Sequence, residues 1–341
     1  MANLKFENAI RKIPQATPPV WMMRQAGRYH KHYQALRAKH SFMELCKRPE
    51  LAAEVALGPI EDFDFDVSIL FSDLLFPLEV LGMGLEYKDT GPELGWSLEK
   101  GSLAKLAPVE TAIRGLEFQA EAVSLTRKRL PSEKSLIGFV GGPWTLYVYA
   151  VEGGHSGSLV KSKSQPELYR AFAERLVPLL ERNIRLQLDA GAEVVMIFDT
   201  AAGELAPADF RSLVARDLET LFAKFPGRIG YYSKGTQPAH FSGDWLARKE
   251  LAGFGVDHRW NLAEVLRAPH LGFVQGNYDQ ALLHLEPRAF EASLREYLAP
   301  LAGLSAAERA GWVCGLGHGV LPKTPEENVR NFVRIVREVF R

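Results

Sequence analysis

The chain has 341 residues, with 41 Lys and Arg balanced by 41 Asp and Glu, so its formal net charge is zero. That length admits two average domains or one large α/β barrel, and the neutral balance implies no polyanionic partner through bulk charge, so any anion site must be a local concentration of Arg or Lys. Two cysteines far apart in sequence, Cys46 and Cys314, make no disulfide framework and suit a reducing cytoplasm. Residues 1–7 lack the apolar segment of a signal peptide, and no apolar run approaches membrane-spanning length. The expectation is a soluble cytoplasmic protein.

The first apolar run is 20–23, led in by Pro18 and Pro19 and stopped at Arg24. It is too short for a helix and reads as a buried strand. Arg24, Gln25, Ala26, Gly27 and Arg28 leave its C-terminal end. Two guanidiniums there make a fork for carboxylates or phosphates, and Gly27 lets the backbone bend. Helical patterns follow over 30–46 and 49–63. The second run, 67–71, ends at Ser72-Asp73. Residues 85–98 alternate around Gly91-Pro92 and read as an inserted hairpin. A long amphipathic helix is expected over 109–130. The third run, 136–140, ends at Gly141-Gly142-Pro143-Trp144-Thr145, and a helix is expected over 165–190. The fourth run, 193–198, ends at Asp199-Thr200, with a helix over 207–224. The fifth, 228–232, ends at Ser233-Lys234-Gly235 and leads to a further helix. The sixth, 253–256, ends at Asp257-His258 before a short helix. The seventh, 271–274, ends at Gln275-Gly276-Asn277, with a helix over 287–298. The eighth, 312–314, ends at Gly315-Leu316-Gly317-His318-Gly319, and 325–340 is the final helix.

Eight strand candidates alternating with helix imply a parallel sheet closed as one (β/α)8 barrel over residues 1–341, with a small hairpin insertion after the second strand. An open doubly wound sheet is the structural alternative. The polar exits favour the barrel, whose active sites sit at strand C-terminal ends. In a barrel, the exits Arg24/Arg28, Asp73, Trp144/Thr145, Asp199/Thr200, Lys234, Asp257/His258, Gln275/Asn277 and His318 converge on one mouth.

Taken alone, several of these residues have plain structural uses. Asp73 and Thr200 suit helix caps, and Tyr149 suits a core position. His318 sits among three glycines that would let backbone approach a ligand. The Gly315-x-Gly317-x-Gly319 spacing is no dinucleotide motif, because too little chain follows it. Lys234 suits a Schiff base or a phosphate contact. No Cys-x-x-Cys or His-Glu-x-x-His occurs, so no metal site is expected. Basic residues form no stripe with aromatics, so no nucleic-acid partner is expected.

Seven stretches, in order, resemble the uroporphyrinogen decarboxylase family along nearly the whole chain. They are P-V-W-M-M-R-Q-A-G-R-Y at 19–29, F-S-D-L-L at 71–75, G-F-V-G-G-P-W-T-L at 138–146, Y-A-V-E-G-G at 149–154, I-F-D-T at 197–200, Q-G-N at 275–277 and G-L-G-H-G at 315–319. The resemblance implies a (β/α)8 barrel, a homodimer and a role in haem biosynthesis. It implies loss of the four acetate carboxyls of uroporphyrinogen III, without cofactor or metal, to give coproporphyrinogen III and CO2. It also implies that uroporphyrinogen III or I is the small-molecule partner.

By that resemblance Arg24 and Arg28 bind substrate carboxylates, with the backbone of Gln25, Ala26 and Gly27 assisting. Asp73 accepts pyrrole N–H groups. Tyr149, Thr200 and His318 line the cleft. The chemistry of such a substrate adds the expectation that Asp73 stabilises a cationic ring intermediate, with Arg24 the leading proton donor or positioner. Gly315, the segment 257–260 and Gln280 depart from the family pattern. Two alternatives stand beside this reading. One is a zinc-dependent cobalamin methyltransferase of the same superfamily, which needs thiolate ligands that are missing beside His258. The other is a non-catalytic tetrapyrrole-binding protein.

Overall fold

A computed structural model describes residues 3–88, 91–155, 157–241 and 245–341. Its strands are β1 (Val67–Ile69), β2 (Glu86–Lys88), β3 (Gly91–Glu93), β4 (Ser135–Gly141), β5 (Val194–Asp199), β6 (Ile229–Ser233), β7 (Leu251–Gly255), β8 (Phe273–Tyr278) and β9 (Trp312–Leu316). β1 and β4 through β9 form one parallel sheet in that order. Every residue of β4 to β9 is buried, as expected of strands covered on both faces. That double burial is why their sequences are apolar runs rather than alternating ones.

The first expected strand is reduced to a single parallel bridge between Val20 and Cys314. Trp21 N–H donates to the Cys314 carbonyl at 3.0 Å, and Cys314 N–H donates to the Pro19 carbonyl at 2.9 Å. On the other side, Asp66 N–H donates to the Val20 carbonyl at 3.0 Å. Val20 N–H in turn donates to the Asp66 carboxylate at 2.8 Å. This short stave therefore joins β9 to β1 and closes a (β/α)8 TIM barrel. It stays short for two reasons. Pro18 and Pro19 have no N–H to extend the ladder, and Arg24 leaves the extended region at φ 57°.

The hairpin expected over 85–98 is the antiparallel pair β2–β3, inserted between β1 and β4. Several helices differ from expectation. Residues 30–46 form two helices, Lys31–Arg37 and Phe42–Lys47, because Ser41 caps the second with a full capping box. Over 109–130, a 3-10 turn at Ile113–Leu116 separates Val109–Ala112 from Glu117–Arg129. After Gly235 the described residues hold only 3-10 turns, Pro238–His240 and Trp245–Ala247. An unexpected helix, Pro143–Glu152, starts at the β4 exit. Pro143 sits in its first turn, where a missing N–H costs nothing.

β1 is shorter than β4, which leaves part of β4 without a strand partner. Ile69 pairs with Ile137, and Leu70 N–H still donates to the Ile137 carbonyl. Phe139 points its backbone to the same side, where β1 has ended. Gln187, from the helix Pro166–Asp189, takes over. Its Oε1 accepts from Phe139 N–H at 2.8 Å and its Nε2 donates to the Phe139 carbonyl at 2.9 Å. Gly138 makes this possible, because a side chain there would collide with the Gln187 amide. We expect Gln187→Leu to cost about 3 kcal/mol, since it strands two buried backbone groups. Equilibrium urea unfolding measures this, and a loss under about 1 kcal/mol would contradict it.

Candidate active site

Residues from separate elements meet at the barrel mouth. Arg24 leaves the first stave, Asp73 follows β1, Tyr149 lies on the helix Pro143–Glu152, and His318 follows β9. Arg24 is close enough for its charge to act on Asp73, Tyr149 and His318 alike. Its stem lies against Gly319, where an added Cβ would sit 2.5 Å from Arg24 Cδ. Arg24 and Arg28 are exposed, and among the described residues neither guanidinium is in an ion pair. Gly27 N–H and C=O follow a compact turn in which His30 N–H donates to the Gly27 carbonyl at 2.9 Å. The chain bends at Gly27 as expected, and it also turns earlier at Arg24, the residue with positive φ.

Asp73 is half-buried. One of its oxygens accepts from Leu75 N–H at 2.8 Å and closes a local turn; it does not cap the helix Phe76–Leu78, whose N-cap is Leu75. Burial raises its pKa, while the Tyr87 hydroxyl, the Leu75 N–H and the Arg24 charge hold it down. Tyr87 belongs to β2, and its ring packs on Phe42 at 4.5 Å between centroids. Sequence reasoning located this hairpin but assigned Tyr87 nothing. The available signal was an aromatic residue in an insertion that directly follows the Asp73 exit. Burial also raises the Tyr149 hydroxyl pKa, with Asp73 adding to it. His318 is half-buried. Burial and the charges of Arg24 and Lys234 push its imidazole pKa down to about 3, so it is neutral at physiological pH.

The polar strand exits fall into two groups. Arg24, Asp73, Lys234 and His318 stand at the mouth. Thr145, Asp199, Asp257, Asn277 and Gln25 are spent on ties between neighbouring exits. Asp199 accepts from Thr145 N–H at 2.8 Å and from Thr145 Oγ1 at 2.7 Å, and Ala201 N–H donates to the same Thr145 oxygen at 2.9 Å. Its carboxyl is pushed up to about 6 by burial. Thr200, half-buried beside it, is held in place by this tie. Asp257 accepts from Gly235 N–H at 2.6 Å and from Arg259. Asn277 Nδ2 donates to the carbonyls of Asp257 and Trp260, each at 2.8 Å. Gln25 is buried, and its amide donates to the Val67 carbonyl at 3.1 Å, so its side chain ties the first stave to β1.

The glycines around His318 leave room for neighbouring protein atoms. Gly315 lies on the Trp21 carbonyl, Gly317 on His258 N and Gly319 on Arg24. Among the described residues no group of three or more His, Cys, Asp or Glu is placed to hold a metal ion. A cleft of about 460 Å3 is lined by His258, Trp260, Asn277, Asp279, Glu296 and Tyr297, among others. Arg24, Asp73, Tyr149, Thr200 and His318 do not border it.

This arrangement can be set beside known proteins. The family model for uroporphyrinogen decarboxylase (URO-D) matches residues 1–339. A uroporphyrinogen decarboxylase of Chloroflexus aggregans is 37% identical, over 98% of this chain and 95% of its own length. One of Solibacter usitatus is 34% identical, over 98% and 97%. A solved methyltransferase from Methanosarcina mazei superposes with a TM-score of 0.75 over 99% of both chains, at 19% identity, which is a likeness of fold. A match of this extent, on a barrel whose mouth gathers Arg24 and Asp73, makes the chain a member of the uroporphyrinogen decarboxylase family.

Proposed function

We propose that this chain removes the four acetate carboxyls of uroporphyrinogen III, giving coproporphyrinogen III and CO2 at a single barrel mouth, as one catalytic domain over residues 1–341. The observation that carries the reading is the meeting of unpaired Arg24 with Asp73, Tyr149 and His318. The substrate is a cyclic polyacid with pyrrole N–H groups at its centre. Exposed Arg24 and Arg28 suit its carboxylates, and Asp73 suits its N–H groups. Tyr149 and Thr200 line the cleft, and the turn from Gln25 to Gly27 supports the two arginines. The same reading carries a homodimer in the cytoplasm, for which two buried free cysteines are suited. No helix among the described residues is long and apolar enough to cross a membrane.

The chemistry needs no external electron sink. A proton adds to a pyrrole ring carbon and makes the ring cationic. The bond to the carboxylate carbon then breaks, and its electron pair flows into that ring as CO2 leaves. A proton on the exocyclic carbon makes the methyl group, and the ring proton is released. One proton is consumed per CO2. Asp73 stabilises the cationic ring, and Arg24 delivers or positions the proton. At an effective dielectric of 20 and about 4 Å, a fixed carboxylate is worth about 4 kcal/mol to that cation. Felt only at the charged stage, this is roughly a thousandfold in rate.

Asp73→Asn should therefore lower kcat about a thousandfold in an anaerobic assay of uroporphyrinogen turnover. Retention of parental kcat would refute the role. The same variant should not lose stability. Burial raises the folded-state pKa of Asp73 above its unfolded value. The ionised group therefore opposes folding at every pH above its unfolded pKa, and most fully once pH exceeds the folded one. Its Tm at neutral pH should match or exceed the parent's. Tyr87→Phe removes a group that holds the Asp73 pKa down. The acid limb of kcat/KM should move to higher pH, and a limb that stays or moves lower would exclude Tyr87 from the site.

A further inference from the structure

Tyr232 is the last tyrosine of β6 and is buried. Burial raises its pKa, so its hydroxyl keeps one hydrogen. That oxygen lies 2.7 Å from the Gly317 carbonyl and 3.1 Å from His318 Nδ1. The two rings stack, with centroids 6.0 Å apart and planes 13° apart. A carbonyl oxygen can only accept, so the single tyrosine hydrogen goes to Gly317. The contact with His318 then needs a hydrogen on Nδ1. The groups whose charges reach His318 come from four elements. Arg24, Lys234 and His155 disfavour a second proton, and Asp257 favours one. Burial adds to the first set, so the ring stays neutral with Nε2 bare. Nε2 has no partner among the described residues and is not sealed from solvent.

We infer that Tyr232 is a positioning residue, which fixes His318 in the Nδ1–H tautomer and turns a bare Nε2 toward the mouth, so that His318 accepts a hydrogen bond from the substrate rather than pairing as a cation with a carboxylate. This rests on the mouth being the substrate site. The donor is a pyrrole N–H of the porphyrinogen, since its carboxyl groups are ionised and can only accept. The arrangement divides labour at the mouth. Arg24 and Arg28 take negative groups, and His318 takes a hydrogen-bond donor.

The test uses the full chain labelled with 15N-histidine, with His318 identified by the signal lost in His318→Gln. Long-range 1H–15N spectra from about pH 5 to 8 should show one neutral tautomer, protonated at Nδ1 and bare at Nε2. Tyr232→Phe keeps the stacked ring and removes only the hydroxyl. It should abolish the single-tautomer pattern and lower kcat/KM for uroporphyrinogen about tenfold, the effect of one hydrogen bond. A parental His318 protonated at Nε2 would overturn the inference. So would a Tyr232→Phe variant whose tautomer pattern or kcat/KM is unchanged. If the parent chain releases no CO2, the proposed function falls, and the spectra still decide whether Tyr232 fixes the tautomer.

Discussion

Closure of the barrel depends on how Val20 is held. A stave with one bridge would be weak alone, yet it is bonded on both sides. Cys314 ladders with it through backbone, while Asp66 grips it through both main chain and side chain. Asp66 is itself buried and is approached by Lys5 and Arg337. The N-terminal segment adds to this grip, because Asn3 Nδ2 reaches Asp66 at 3.3 Å. Everything at the mouth that comes from the first stave inherits its position from this seam. Arg24 is one residue past Met23, whose carbonyl is fixed by Val320 N–H at 2.9 Å. The same contact brings the loop carrying His318 and Gly319 against the Arg24 stem.

The mouth is made possible by ties just beneath it. Asp199, Asp257, Asn277 and Gln25 use their polar groups on neighbouring backbone, which stiffens the strand ends. Such residues look chemically active in a sequence because they are polar and sit after apolar runs. In the fold they are consumed. Arg24, Arg28 and Lys234 remain without an ion pair among the described residues. Within a chain of zero net charge, this is the local basic concentration that a polyacidic ligand requires.

Much of the barrel was legible because parallel strands buried on both faces leave continuous apolar runs. Seven of the eight expected runs are strands, and the hairpin sits where Gly91-Pro92 suggested. The first run was legible as a stave but not as a strand of normal length, since its prolines and the turn at Arg24 act together. The helix Pro143–Glu152 was hidden by its own apolar sequence, which has no polar face to show a helical period. The family resemblance pointed to Arg24, Asp73, Tyr149, Thr200 and His318. It did not point to Tyr87 or Tyr232, because each acts through a neighbour rather than through a motif. The glycines near His318 show a related limit. A sequence shows that a Cβ is missing but not what occupies the space.

The same residues that suit the chemistry are costly to fold. Arg24 adopts a left-handed backbone conformation, at about 1 kcal/mol for a residue with a Cβ. Asp73 keeps a carboxylate where burial disfavours its charge. His318 is held neutral among cations. The Tyr87 hydroxyl, the Leu75 N–H and Arg24 offset only part of the cost at Asp73, and the wall below holds the arrangement in place. Gln187 against β4 and Asp66 at the seam each replace a backbone bond that the sheet cannot supply, and Asp199 takes the Thr145 N–H at the open end of the helix Pro143–Glu152. A polyacid entering the mouth would supply the missing negative charge to Arg24 and Lys234. That would relieve the repulsion around His318 while adding to the cost of an ionised Asp73. In the reaction proposed above, Asp73 would then gain most when a ring becomes cationic, the stage at which extra stabilisation speeds turnover.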